Sequence, residues 1–114
     1  MENIKKNIYE DIVELSDLTL QRKLWLNENN DTGLISSFEE LYCRLFDDND
    51  FEKFAESSAI KMGLNRKTIT ELKKLKDLLN RYEEKETPVK IIEDPEWHKI
   101  TQQAKIVLKT WNKG

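Results

Sequence analysis

The stretch LFDDNDFEKF, residues 45–54, places four carboxylates between three phenylalanines. The acidic residues are Asp47, Asp48, Asp50 and Glu52, and the aromatic residues are Phe46, Phe51 and Phe54. Four negative charges this close repel one another, so their grouping needs a physical reason. The candidates are a bound metal ion, a helix terminus, a basic partner and plain solubility.

A calcium ion is the first candidate. An EF-hand loop needs glycine at its sixth position and glutamate at its twelfth. Counted from Asp48, the sixth residue is Lys53 and the twelfth is Ala59. Counted from Asp47, the twelfth residue is Ser58. Neither frame fits, so the sequence predicts no metal site and no cofactor.

Cys43 and His98 are the only cysteine and histidine, too few for zinc. A di-iron site needs a glutamate three residues before a histidine, and Pro95 holds that position. Cys43 follows Tyr42 near the expected buried side of a helix, where a free cysteine acts as a small hydrophobe. We expect His98 at the surface or its boundary. No glycine-rich phosphate loop exists, so we expect no catalytic residue, no small-molecule substrate and no enzyme.

The composition describes one small folded domain. The chain has 114 residues, 38% of them hydrophobic and 36% charged, with a formal net charge of −3. Acidic residues interrupt the N-terminal apolar residues, so we expect no signal peptide and no membrane association. A single cysteine excludes an internal disulfide and favours a cytoplasmic location.

Apolar residues recur at helical spacing along most of the chain. They predict an all-α, compact single-domain bundle of five or six helices with no significant sheet, over residues 1–114. The expected helices are approximately residues 2–15, 17–27, 37–47, 51–62, 66–85 and 95–112. We expect N-caps at Ser37, Asn65 and Asp94 and a helix stop at Gly63. Residues 89–92, VKII, are expected to form an extended connection.

A helix-turn-helix is an alternative within residues 59–76. Ala59, Gly63 and Ile69 match the small, turn and apolar positions of that motif, and a basic helix follows. The residues expected to face a major groove are Arg66, Lys67, Thr68 and Thr70. The acidic stretch just upstream and the negative total charge disfavour nucleic acid as a partner. A DNA-binding regulator or antitoxin stays open as the alternative.

Charge is distributed unevenly along the chain. Residues 36–58 hold seven acids and two bases, a net charge of −5, whereas residues 61–81 hold seven bases and two acids, a net charge of +5. Asp47 and Asp48 end a predicted helix, where the helix dipole disfavours negative charge. Such an arrangement costs free energy in the isolated protein, and a basic partner would offset that cost.

Three motifs resemble a family of small helical bacterial proteins, the contact-dependent growth inhibition immunity proteins. They are KLWL at 23–26, SSFEELYCRLFDD at 36–48, and IIEDPEWHKI at 91–100 followed by AKIVLKTW. The likeness runs from about residue 8 to residue 111. It implies a cytoplasmic antidote that binds and blocks the C-terminal toxin domain of a matching surface effector, often a nuclease.

Toxin-contacting residues vary within that family, so the site assignment rests on charge alone. The predicted toxin-binding residues are Asp47, Asp48, Asp50, Phe51, Glu52 and Glu56. The carboxylates would contact a basic toxin surface and speed association, and Phe51 would serve as an apolar anchor. Homo-oligomerisation is left open by the sequence.

Overall fold

Seven helices make up the computed structural model, which describes residues 3–113. They are α1 (Ile4–Leu15), α2 (Leu18–Leu26), α3 (Phe38–Tyr42 with the π-helical turn Cys43–Asp48), α4 (Phe51–Lys53, the π-helical turn Phe54–Ser58 and Ala59–Lys61), α5 (Arg66–Arg81), α6 (Pro88–Ile92) and α7 (Pro95–Lys113). The described residues contain no strand, which confirms the predicted all-α class. The radius of gyration, 13.8 Å, is that of one domain of this length.

The core is centred on Trp97 of α7, which is fully buried. The rings of Trp25, Phe38 and Tyr82 surround it at centroid distances of 5.9, 5.5 and 5.1 Å. The indole Nε1 donates to Oε1 of Gln21 at 2.8 Å, and the Gln21 amide donates to two carbonyl oxygens of the last turn of α1. One buried amide therefore joins α1, α2 and α7, and all of its polar atoms are satisfied.

Local capping chemistry starts three helices where the sequence predicts it. Ser37, Asn65 and Asp94 each accept a hydrogen bond from a backbone N–H of the following turn, at 3.0, 2.8 and 3.1 Å. Gly63 has φ +90°, a left-handed conformation that suits glycine and ends α4. These helix limits depend on neighbours in sequence, so they were predictable.

The segment VKII is helical, and the expected extended connection is wrong. Thr87 caps α6 by accepting from the Lys90 N–H at 3.2 Å, and Pro88 occupies the first turn. Proline is compatible with that position because the first-turn N–H groups have no partner within the helix. The two isoleucines of α6 are 2% exposed, so burial supplies the stabilisation that five residues lack on their own. The preceding helix α5 ends at Arg81, before the predicted residue 85.

The acidic stretch lies where two helices meet at a sharp reversal. The backbone N–H of Asn49 donates to the carbonyl oxygen of Arg44, five residues earlier, at 3.0 Å, and its side-chain amide donates to the same oxygen at 2.7 Å. Asp50 then adopts φ +47°, in the left-handed region. The π-helical end of α3 and this reversal fix the positions of the neighbouring carboxylates.

Candidate functional site

The five carboxylates of the predicted site are exposed, but Phe51 is not. Its side chain is fully buried, with its ring 5.6 Å from that of Phe46 in an edge-to-face contact. Phe51 opens α4 on the same face as Phe54, three residues later, which is 1% exposed. The prediction of Phe51 as a surface anchor is therefore wrong, because helical spacing turns it into the core.

The positions of two carboxylates, Asp50 and Glu52, are explained by the start of helix α4. Asp50 is the N-cap of α4, with Oδ1 accepting from the Lys53 N–H at 3.3 Å. Glu52 lies in the first turn of the same helix, where the dipole favours negative charge. These charges stabilise the start of α4, so a partner is not needed to explain them.

Glu56 is paired within the protein. Its carboxylate bonds the ammonium of Lys76 and lies 3.8 Å from Nζ of Lys73, both on α5. The hydrogen bond from Lys76 lowers the pKa of Glu56. The acidic and basic segments of the sequence therefore face each other here, and part of their charge asymmetry is neutralised internally.

Asp47 and Asp48 form the remaining part of the acidic stretch. Both are exposed at the C-terminal end of α3, and within the described residues neither forms an ion pair. The dipole of α3 opposes their charge, as the sequence predicts. They are the two predicted contacts whose charge the fold leaves uncompensated.

Beside Asp48 lies a buried polar network that the local sequence pattern does not predict. The side chain of Glu14 is 7% exposed, and its Oε2 accepts from Trp25 Nε1 and Ser36 Oγ, each at 2.9 Å. Its Oε1 accepts from Arg44 Nη2 at 2.8 Å. Three donors satisfy this carboxylate, as burial of a charge requires.

Asp11 is the second buried carboxylate and is less well satisfied. Its Oδ1 lies 3.7 Å from Arg44 Nε, beyond hydrogen-bond range, and its Oδ2 accepts from Asn49 Nδ2 at 3.4 Å. Burial raises the pKa of Asp11 to about 6, against the lowering effect of the Arg44 guanidinium. With Glu10 and Asp48, it lines an open cleft of about 380 Å³.

One signal in the sequence pointed to these residues. Asp11 falls three residues after Ile8 and four before Leu15, on the apolar stripe of α1, where a charged residue is unexpected. A carboxylate in a core-facing position needs a cation and hydrogen-bond donors nearby. The sequence could not show that Arg44, thirty or more residues later, supplies the cation.

Cys43 and His98, the single cysteine and the single histidine of the sequence, both lie at the surface. Cys43 is exposed, which corrects the expectation that it lies near the buried side. It stands two residues from both Leu41 and Leu45, which face the core, so helical geometry turns it outward. Desolvation and the carboxylate of Asp47 raise the pKa of its thiol, which disfavours the nucleophilic thiolate. His98 is exposed, as expected.

The helix-turn-helix hypothesis keeps its turn at Gly63 but loses part of its contact surface. Thr68 is fully buried, with its hydroxyl bonded to Asn65 Oδ1 at 3.1 Å, so its predicted place in a major groove is wrong. Two lysines of α5, Lys73 and Lys76, are engaged by Glu56. A carboxylate in that position opposes the approach of DNA phosphates.

The fold and the site define a small all-α domain with an uncompensated acidic end on α3. Within residues 3–113, no three His, Cys, Asp or Glu side chains converge as metal ligands would. The helices of the same residues include none with the length and apolar character that crossing a bilayer requires. Comparison with protein-family models, curated proteins and solved structures finds no match to this chain.

Proposed function

We propose that this chain is an immunity protein that acts in the bacterial cytoplasm. It binds and neutralises the C-terminal toxin domain of a contact-dependent growth inhibition effector, a basic nuclease, through the acidic end of α3. The resemblance in residues 23–26, 36–48 and 91–100 supplies the class of protein. The observation that carries the proposed surface is the uncompensated pair Asp47 and Asp48.

Physical chemistry favours a basic partner for this pair. The fold accounts for the charges of Asp50, Glu52 and Glu56 by capping, by the dipole of α4 and by pairing with lysines. It gives Asp47 and Asp48 no such compensation, although they lie against the dipole of their own helix. Lysine and arginine side chains of a nucleic-acid-binding surface would offset that cost on association.

The cleft beside Asp48 extends the same negative surface towards α1. Glu10 is exposed there and Asp11 lines the floor, so three carboxylates of two helices surround one opening. The guanidinium of Arg44 lies in the same cleft and is committed to Glu14 by a 2.8 Å hydrogen bond. Negative potential is therefore concentrated on the side of the molecule that Asp48 occupies.

The test is association with the toxin domain encoded directly upstream of this chain's gene. We expect the two proteins to co-purify and the association rate to fall steeply as salt is added. Changing Asp47 and Asp48 together to lysine should slow association at low salt by roughly tenfold or more. Surface plasmon resonance at several salt concentrations measures both effects. Asp50 stays unchanged, because its replacement would disturb the start of α4.

The matched control changes Glu28 and Asp31 to lysine, which alters the net charge by the same amount in the exposed loop after α2. We expect this control to slow association far less than the α3 variant does. Equal slowing by both variants would contradict the assignment to α3. Absence of any complex with the toxin domain, together with retention on DNA lost on Lys73→Glu with Lys74→Glu, would favour the helix-turn-helix alternative.

A further inference from the structure

A groove of about 470 Å³ lies between the π-helical end of α3 and the last turn of α5. Tyr42, Phe46 and Asp47 line it on the α3 side, and Asn80 and Tyr82 line it on the α5 side. It adjoins the acidic end of α3 because Asp47 belongs to both. No residue that lines it within the described part of the chain carries a positive charge.

The walls of the groove are aromatic and fixed in place. The rings of Tyr42 and Phe46 are 5.6 Å apart, with their planes tilted by 36°. The Tyr42 hydroxyl donates to the Leu79 carbonyl oxygen at 3.1 Å, and the Tyr82 hydroxyl donates to Asp94 Oδ2 at 2.9 Å. Both phenols are thereby held with their rings partly buried and their polar ends satisfied.

Negative charge lies at two places around these rings. Asp47 stands on the α3 wall and is exposed. The second is Asp94, whose Oδ2 accepts from the Tyr82 hydroxyl at 2.9 Å. Burial raises the pKa of both phenols, and the Asp94 carboxylate raises that of Tyr82 further. Aromatic faces flanked by carboxylates attract cations, and desolvation at the rings strengthens the attraction.

We propose that this groove receives an arginine side chain of the basic partner, stacked on the rings of Tyr42 and Phe46 and paired with Asp47. The proposal rests on the function proposed above and names a specific contact within it. Arginine fits better than lysine because its planar guanidinium stacks on aromatic rings and binds a carboxylate through two parallel N–H groups. Lysine would supply charge alone.

The test uses two peptides of equal charge, hexa-arginine amide and hexa-lysine amide, titrated into the ¹⁵N-labelled protein. We expect hexa-arginine to shift the amide signals of residues 42–47 and 79–82 and to bind at least threefold more tightly than hexa-lysine. Equal affinity of the two peptides would overturn the proposal. Signal changes confined to other acidic residues, such as Glu28 or Glu93, would overturn it as well.

Two variants examine the groove itself. Asp47→Asn removes its negative charge, and Asn80→Lys places a positive charge on its α5 wall at an exposed position. We expect both to weaken hexa-arginine binding several-fold, and Glu39→Gln, an exposed acid of α3 outside the groove, to leave it unchanged. Unchanged binding to Asp47→Asn, the milder substitution, would contradict the proposal even if Asn80→Lys alters the fold.

The same variants separate this proposal from the broader one. If the affinity of the toxin complex is insensitive to Asn80→Lys, the arginine groove is contradicted and the immunity function is not. Selective hexa-arginine binding without any toxin complex would remove the immunity function and leave the groove as a guanidinium site.

Discussion

Two pairs of carboxylates lie on neighbouring parts of the molecule and have opposite surroundings. Asp11 and Glu14 are buried on α1 beside the Arg44 guanidinium, each with a side chain 7% exposed. Asp47 and Asp48 are exposed at the end of α3, and no cation within the described residues pairs with either. The first pair is built into the fold, whereas the second contributes nothing to it.

The comparison shows how to distinguish structural charge from charge available for binding. A buried carboxylate without its partners would destabilise the protein by several kcal/mol, so its neighbours are specified by the fold. An exposed carboxylate costs little in the folded state and acts mainly through long-range attraction. Substitutions in the first pair should therefore change stability, and substitutions in the second should change association.

Among these substitutions, Glu14→Gln should destabilise the protein most. The substitution leaves the Arg44 guanidinium in a half-buried site without its 2.8 Å carboxylate partner. We expect the free energy of unfolding to fall by roughly 3 kcal/mol, the upper value for a hydrogen bond to a charged group, measured by urea denaturation. Glu10→Gln, an exposed change on the same helix, should shift it by less than about 0.5 kcal/mol. Similar losses in the free energy of unfolding for the two variants would show that the buried Glu14 stabilises the fold no more than the exposed Glu10 does.

Asp11→Asn should alter the pH dependence of stability. The pKa of Asp11 is about 6 in the folded protein, against a usual value of 3.8. The folded state therefore binds the Asp11 proton more tightly than the unfolded state does. The stabilisation that this proton gives the folded protein is complete below pH 3.8 and is lost as the pH rises through about 6. Asparagine does not titrate. The free energy of unfolding of Asp11→Asn relative to that of wild type should therefore rise by up to about 3 kcal/mol between pH 4 and pH 7.

Unfolding curves in urea at several pH values measure this difference. Asp77→Asn, an exposed change on α5, is the matched control. Parallel pH profiles for wild type and Asp11→Asn would show that Asp11 is as well accommodated when charged as when neutral, and the contrast with the surface pair would weaken.

Asp50 lies between the two pairs in character, because it is exposed but part of the fold. Asp50→Ala removes the cap of α4, worth about 1 kcal/mol, and places alanine in a left-handed conformation at a further cost of about 1–2 kcal/mol. Asp50→Gly removes only the cap, and Asp50→Asn retains both features. We expect destabilisation in the order Ala, Gly, Asn. Equal losses for Ala and Gly would show that the φ of +47° carries no strain.

The smallest effect on stability is expected for Asp47→Asn combined with Asp48→Asn. Removing charge that opposes the dipole of α3 should leave stability unchanged or raise it by a few tenths of a kcal/mol. The same variant should slow association with the toxin domain several-fold at low salt. A loss of stability as large as that of Glu14→Gln would show that Asp47 and Asp48 stabilise the fold, which would contradict the contrast with the buried pair.

Much of the secondary structure was predictable because its signals are local. Ser37, Asn65 and Asp94 cap the helices that follow them through hydrogen bonds to residues two or three positions later. The end of α4 at Gly63 is also a local signal, because glycine readily adopts the left-handed φ that stops a helix. The helix after Thr87 has a weaker local signal, because proline can end a preceding helix as well as occupy the first turn of a new one. Its five residues depend on burial of two isoleucines, which is a tertiary property.

The candidate site was predictable only in part. The exposure of Asp47 and Asp48 and their position at a helix end follow from the apolar spacing of α3. The burial of Phe51 and the exposure of Cys43 depend on which face each short helix turns to the core. The charge asymmetry of the sequence does not show that its acidic and basic segments meet, whereas Glu56 lies against Lys73 and Lys76 once α4 packs on α5.

The all-α class and the starts of most helices follow from signals in the sequence, because they depend on hydrogen bonds and apolar spacings within a few residues of chain. The contacts of Arg44 with Asp11 and Glu14, and the groove between the aromatic rings of α3 and Tyr82, depend instead on how the helices pack. Contacts between residues thirty or more positions apart form only when helices pack, because packing supplies the free energy that fixes such distant side chains together.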